Sequence, residues 1–455
     1  MKTVFVVGAG PAGMFAAQKI ALAGHQVVIL NRDIKPGGLA EYGIYPTKDK
    51  MKVGLRKQFA KVLSLPNVHY FGHVCVAENG CLSIAELRRF NPAAIVFAVG
   101  AQGTKKLGLE GSSARGVYSA KDFVYFYNQL PPYTSQDFST GKRVAVIGMG
   151  NVAVDIAHWL LVDAAEKPDE VIIVARRGPF EAKFDQKEFA YIEKHLDRQA
   201  FQAELQRIQP QLAAINQDIN QVAGDTFPIL NKPETELPGG GRLLFRFLSS
   251  PCSIHTDSNG RINGLRVTEN VLAKREDSIA CKPTERVAEL EVDTMIFAIG
   301  DVADPNLGLP YGTDSYLINP DTTDAQRAAY EVYDDAGCCP MPGTYVVGWA
   351  RKASEGLVGI ARHDAEVGAV HVLKYLEGVP ETNAASPEAI RESIQARGVR
   401  VVDKSDLEYL ARAEEEQAKA RGMLWFKFSQ DEAMLAAIDA KKAEQEPAAA
   451  GGVSA

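Results

Sequence analysis

The chain has 455 residues, enough for two to four domains with cores of their own. With 46% hydrophobic and 24% charged residues it reads as globular, and a net charge of −7 argues against nucleic acid as a partner. No apolar run is long enough to span a membrane. The apolar residues from Val4 to Val7 run straight into a glycine loop, as a buried strand does and a signal peptide does not, so the expected compartment is the cytoplasm.

In chain order, 3–7 reads as a strand, 11–23 as a helix and 26–30 as a second strand, a βαβ start typical of a parallel sheet. Between strand and helix stands V-F-V-V-G-A-G-P-A-G. Its Gly8, Gly10 and Gly13, with Pro11 and Ala12 among them, let a pyrophosphate approach the backbone and the positive end of a helix. At the end of the second strand, where an acid usually holds the adenine ribose, stands Asn31; its carboxamide is expected to serve by accepting and donating hydrogen bonds. A glycine- and proline-rich loop covers 35–46, a basic amphipathic helix about 50–63, and a buried strand 93–100 ends on Gly100.

A second βαβ unit starts at 142–147 with R-V-A-V-I-G-M-G-N-V-A, in which Gly148 and Gly150 are followed by Ala153 in place of a third glycine. Its helix is expected over 151–162 and its next strand over 171–175. After that strand stand Arg176 and Arg177, where an acid would select the free 2′-hydroxyl of NAD. Two guanidinium groups there match a 2′-phosphate and predict a roughly 10²–10⁴-fold preference for NADPH. Two dinucleotide loops in one chain point to a flavoprotein that binds FAD at the first and NADP(H) at the second.

Residues 186–222 are rich in Gln, Glu and Ala at helical spacing. Strands are expected near 243–247, 262–268, 286–299 and 344–349, and a long helix over 357–376. The tail beyond 380 reads as charged and helical, and 446–455 as disordered. The fold expected is α/β, with two Rossmann-type three-layer domains, the FAD domain interrupted by the NADP domain. The boundaries expected are 1–104 and 326–380 for FAD, 105–325 for NADP and 381–455 for a helical extension. Such an insertion is expected to set the two cofactors against each other in a domain cleft.

Cys75, Cys81, Cys252, Cys281, Cys338 and Cys339 form no C-x-x-C and have no zinc or iron–sulfur spacing, so no metal site is expected and a disulfide reductase is disfavoured. A flavin monooxygenase lacks its F-x-G-x-x-x-H stretch here. A non-catalytic flavin scaffold would have no use for the second loop.

The stretches G-M-G-N-V-A-V-D-I-A (148–157), V-A-R-R-G-P-F-E-A-K-F-D-Q-K-E (174–188), G-V-Y-S-A-K-D-F-V-Y-F-Y-N (116–128), G-G-L-A-E-Y-G-I-Y-P (37–46) and G-W-A-R-K-A-S-E-G-L-V (348–358) together resemble adrenodoxin reductase and the bacterial ferredoxin–NADP reductases built like it. The small-subunit flavoprotein of glutamate synthase is more distantly similar. The resemblance spans nearly the whole chain and is weakest over 190–240.

It implies FAD, NADPH and single-electron delivery to ferredoxin or another iron–sulfur protein, the flavin doing the chemistry without a protein acid or base. It also implies roles for residues. Gly150, Asn151 and Val152 hold the nicotinamide pyrophosphate, and Arg176 and Arg177 hold the 2′-phosphate. Glu188 closes on the nicotinamide side. Gly38 and Leu39 line the flavin, Trp349 lies by the isoalloxazine, and the backbone of Gly356, Leu357 and Val358 holds its pyrimidine edge. Two positions depart from the family: Asn31, and Thr47-Lys48 where the family carries Asp-His.

Lys48, Lys50, Lys52, Arg56, Lys57 and Lys61, against Asp49 alone, form either a docking face for an acidic partner or a solvated helix face. The alternative to a free-standing reductase is a reductase subunit of a larger complex that feeds a dedicated iron–sulfur enzyme.

Overall fold

The computed structural model describes residues 1–275, 278–353 and 358–445. The expectations for Gly356, Leu357 and the stretch 446–455 lie outside these. The described residues fall into two compact units, the second made of Lys105–Val124 and Gln136–Ile299 and the first of the remainder.

The first unit is built on a six-stranded sheet in the order Glu331–Asp334, Cys339–Val346, Ala94–Phe97, Thr3–Val7, Gln26–Asn31, Val68–Gly72. All neighbours run parallel except the edge pair, which is antiparallel. The apolar run 4–7 is continuous because both faces are covered. Val4 and Val6 enter one core with the helices Pro11–Leu22 and Val358–Gly378, while Phe5 and Val7 enter the other with Leu307, Ile390 and Ile394.

Residues 300–325, expected in the inserted domain, belong to the first unit. Asp301–Val302 pairs with Gly103–Thr104, and Ala303, Leu307, Leu309 and Tyr316 are part of the first core. Tyr125–Ser135 belongs there too, through Tyr125 and Leu130 against Tyr42. The charged tail forms the helices Pro387–Gln395, Lys404–Ala420 and Asp431–Gln445. The last two bury Leu410, Met434 and Ile438 against Ile34 and Val402, so the extension packs on the first unit.

The second unit holds a five-stranded parallel sheet in the order Val117–Ser119, Thr294–Phe297, Arg143–Ile147, Glu170–Val174, Arg242–Arg246. One face packs on an antiparallel sheet, Ser249–Thr256, Ile262–Arg275 and Ser278–Leu290, through Ile254, Ile262, Leu265 and Val267. The strand expected over 286–299 is thus two strands in two sheets. Ser249–Thr256 has no strand signal in the sequence because S-S-P-C-S-I-H-T carries almost no apolar alternation.

Phe201 and Phe227, from the stretch of weakest resemblance, pack with Phe189, Phe245 and Phe247. The Phe201–Phe227 centroids are 4.8 Å apart and the stacked Phe245–Phe247 pair 5.3 Å. The helix expected over 151–162 runs regularly over Asn151–His158 and ends in a wider π turn, Trp159–Asp163.

Candidate functional site

At the first loop the chain is too tight for side chains at two glycines and open at the third. A Cβ on Gly13 would lie 1.9 Å from the Gly8 carbonyl oxygen, and one on Gly8 would lie 2.6 Å from that of Ala98. A Cβ on Gly10 would meet nothing within 4 Å. Helix Pro11–Leu22 begins here with no capping side chain and no acid in its first turn, whereas Ser83, Asp185, Asp197, Ser386 and Asp403 cap their helices. The first-turn N–H groups therefore remain available to an anion.

Other expected flavin residues converge on this loop. Gly37 donates its N–H to the Ala9 carbonyl at 2.8 Å, and a Cβ on Gly38 would lie 3.2 Å from Gly10 Cα, so the turn carrying Leu39 sits against the loop. Gly100 follows Ala98, the residue on which Gly8 packs. The turn Gly348–Ala350 holds Trp349; a Cβ on Gly348 would lie 2.5 Å from Ala12 Cβ. Val358 opens the helix Val358–Gly378 and packs against the core beneath.

Asn31 uses its carboxamide within the protein. Its Oδ1 accepts from Ala9 N at 2.9 Å, and its Nδ2 donates to the carbonyls of Asp33 (2.8 Å) and Lys35 (3.1 Å) and to the Tyr70 hydroxyl (3.2 Å). The buried carboxamide has no N–H left for a ribose. It ties the glycine loop to the segment after the strand. Asn31→Asp would turn two donated bonds into a carboxylate facing two carbonyls. It is expected to destabilise the protein by roughly 2 kcal/mol in urea unfolding; a variant as stable as the parent would contradict the bracing role.

The second loop repeats the plan. A Cβ on Gly148 would lie 2.2 Å from the Ala298 carbonyl oxygen, and one on Gly150 would meet nothing within 4 Å. Helix Asn151–His158 also starts without a capping side chain or an acid. Asn151 Oδ1 accepts from Asp185 N at 2.7 Å, which brings the short helix Gln186–Phe189, with Glu188, beside the loop. Ala153 is buried and Val152 is exposed.

Arg176 and Arg177 follow the strand Glu170–Val174. Asn270 Nδ2 (3.0 Å) and Cys281 Sγ (3.1 Å) hydrogen-bond to the Arg176 carbonyl, while its side chain is exposed. Arg177 Nε is buried without a hydrogen-bond partner, a donor waiting for an acceptor.

Residues 2–208 match the model for the pyridine nucleotide-disulphide oxidoreductase family. The NADPH-ferredoxin reductase FprA of Mycobacterium tuberculosis is 31% identical over 402 residues, covering 80% of this chain and 81% of that protein. The chain belongs to the NADPH-ferredoxin reductase family. The mitochondrial NADPH:adrenodoxin oxidoreductase of Arabidopsis thaliana is 26% identical, over 92% of this chain and 91% of that one. The solved structure of Mycobacterium tuberculosis FprA in complex with NADPH superposes with a TM-score of 0.75 at 25% identity, covering 97% of this chain and 99% of that one.

Two groups in this family member carried no sequence signal. The first holds the Trp349 turn: Asp364 accepts from Gly348 N through Oδ2 at 2.6 Å and from the Tyr330 hydroxyl through Oδ1 at 3.3 Å and pairs with Arg351, while the Arg351 guanidinium lies 4.2 Å from the Tyr330 ring centre.

The second gathers buried charge next to Gly38. Glu41 accepts two bonds from Arg56, both 2.7 Å, and pairs with Lys427 at 2.8 Å. Lys52, expected on the basic surface, is buried and donates to Asn128 Oδ1 at 3.1 Å. These partners lie far apart in sequence, and helical spacing alone puts Lys52 and Arg56 on a basic face. Burial alone would push the Glu41 carboxyl up, but the Arg56 hydrogen bonds and the Lys427 charge hold it well below the usual carboxylate range.

Burial, then the charge of Lys427, pull Lys52 from 10.5 to about 8 against the opposing effect of Glu41. Between those values the unfolded chain binds more protons, so this group's contribution to stability rises with pH and is lost as pH falls to about 8. Urea unfolding at roughly pH 8 and pH 9 is expected to show the parent gaining up to about 1 kcal/mol over Lys52→Met. Equal slopes would contradict a charged, buried Lys52.

Among the described residues no helix is long and apolar enough to cross a membrane, and no three His, Cys, Asp or Glu side chains stand together as a metal site.

Proposed function

We propose that the chain is an FAD-dependent NADPH:acceptor oxidoreductase of the ferredoxin–NADP reductase type, its acceptor an iron–sulfur protein such as ferredoxin. The observation that carries the reading is the unpartnered, buried Nε of Arg177 at the end of the strand beside an uncapped glycine loop. When bound, FAD supplies the exchange of a hydride for single electrons that joins NADPH to a one-electron carrier.

The residues described supply binding and orientation. The first-turn N–H groups after Gly10, with the Gly38–Leu39 turn and the Trp349 turn, would hold FAD. Gly150, Asn151 and Val152 would hold the pyrophosphate of NADPH, Arg176 and Arg177 its 2′-phosphate, and Glu188 its nicotinamide end. Reduction of the bound flavin by NADPH, followed by reduction of an added ferredoxin, tests this. A flavin that NADPH leaves oxidised would refute it.

The docking face is proposed on the helix Asp49–Leu63. With Lys52 buried and Arg56 paired, its exposed cations are Lys50, Lys57 and Lys61, next to Met51 (54% exposed) and Val53 (43%). An apolar strip among cations suits an acidic partner. The double variant Lys57→Glu, Lys61→Glu is expected to slow ferredoxin reduction several-fold at low salt, with flavin reduction by NADPH unchanged. An unaffected rate would move the docking face elsewhere. We place the protein in the cytoplasm, where its six unpaired cysteines stay reduced.

One observation favours the reading as a subunit of a larger complex: Met423 (50%) and Leu424 (86%) are exposed beyond the helix Lys404–Ala420. An iron–sulfur enzyme that co-purifies in fixed ratio would establish that reading.

A further inference from the structure

We infer that Lys427, from the C-terminal extension, is a positioning residue for the flavin: it clamps the Gly38–Tyr42 turn and completes a buried cluster whose net positive charge favours the reduced, anionic cofactor. The inference rests on the reading that Gly38 and Leu39 line the flavin.

The geometry starts from the turn. Gly37 is hydrogen-bonded to the glycine loop and Gly38 packs on Gly10, so any movement of this turn moves the wall of the loop. Three residues beyond Gly38 stands buried Glu41. Lys427 reaches it from a segment remote in sequence, pairing with its carboxylate at 2.8 Å and donating to its carbonyl at 3.4 Å. The same ammonium donates to the Asn128 carbonyl at 3.4 Å and lies 4.5 Å from the Tyr42 ring centre. Lys427 thus grips three points around one short turn.

The charges do not balance. Lys52, Arg56 and Lys427 surround the single carboxylate of Glu41, and the nearby Lys35 is neutralised by Glu414. Lys52 and Lys427 are buried and Arg56 is 42% exposed, so among the described residues an excess of up to two positive charges, partly screened at Arg56, remains at the back of the turn. Burying a lysine that finds only a shared carboxylate is unfavourable, and an apolar side chain of the same length would pack without that cost. Stability therefore does not explain Lys427, whereas a neighbour that gains negative charge does. The two-electron-reduced flavin is such a neighbour, and it would offset part of the excess.

The test varies the charge in both directions on the holoenzyme. Lys427→Met leaves one excess charge, Glu41→Gln leaves three, and the double variant returns to two. The readouts are the flavin midpoint potential, from an anaerobic titration with a reference dye, and the dissociation constant of FAD from the apoprotein. Lys427→Met is expected to weaken FAD binding and to reduce the preference for reduced over oxidised flavin about tenfold, a shift of about 30 mV to the negative side. Glu41→Gln is expected to move the potential the other way, the double variant to return it toward the parent value, and Lys427→Arg to keep it.

Shifts of the same sign in Lys427→Met and Glu41→Gln, or no shift in a folded variant, would overturn the inference. If Lys427→Met does not fold, Glu41→Gln and the double variant carry the same test. Retention of FAD by Gly10→Ala would count against the flavin assignment of the loop, and leaves the charge test separately readable.

Discussion

Replacing Arg176 and Arg177 together by alanine is expected to raise the KM for NADPH by about 10²-fold or more, to leave that for NADH within a few-fold, and to leave FAD bound. The magnitude follows from charged hydrogen bonds worth roughly 1.5–3 kcal/mol each, discounted for the exposure of Arg176. Arg177 is expected to carry the larger share, because its Nε is buried without a hydrogen-bond partner and a phosphate there would satisfy it. The same orphan predicts that 2′-phosphorylated nucleotides raise the melting temperature of the parent and not of Arg177→Ala, since a ligand that binds only the folded state stabilises it. Steady-state kinetics with both nicotinamides and a thermal scan with 2′-AMP check this. Equal losses for NADPH and NADH would show that the pair serves the fold rather than the phosphate.

Gly10→Ala is expected to give a folded protein that has lost its yellow colour. The backbone at Gly10, φ −71° and ψ −178°, is one an alanine adopts freely, and its Cβ would meet no protein atom within 4 Å. On the proposed assignment it would meet the cofactor, where the pyrophosphate approaches the helix start. Gly13→Ala is the contrast, since its Cβ would lie 1.9 Å from the Gly8 carbonyl oxygen and the loop cannot close. The expected pair of results is a colourless Gly10→Ala with native circular dichroism and a Gly13→Ala that is lost to unfolding. Full flavin in Gly10→Ala would remove the pyrophosphate from this loop.

Most of the frame was legible because it follows from local rules. Continuous apolar runs such as 4–7 and 144–147 announce strands covered on both faces, and a glycine loop before a helix announces an anion site. The place of Arg176 and Arg177, just after the second strand of their unit, was legible in the same way.

The unread features depend on long-range packing. Asn31 occupies the ribose position in sequence, yet the fold turns its carboxamide inward to Ala9, Asp33 and Lys35. Lys52 sits in a basic run, and only contact with Asn128, some 76 positions away, shows it to be buried. Lys427 meets Glu41 across 386 positions. The break in 286–299 was hidden because apolar residues continue from a hairpin into a parallel strand, with Val292 between them buried in the same core.

The most direct test of the whole account is an anaerobic titration of the purified yellow protein with NADPH and, separately, NADH, followed by addition of oxidised ferredoxin. The account predicts that NADPH bleaches the flavin at far lower concentration than NADH. It further predicts that two ferredoxins are then reduced for each flavin reoxidised. Bleaching by NADH alone, or a reduced flavin that no ferredoxin reoxidises, would contradict it.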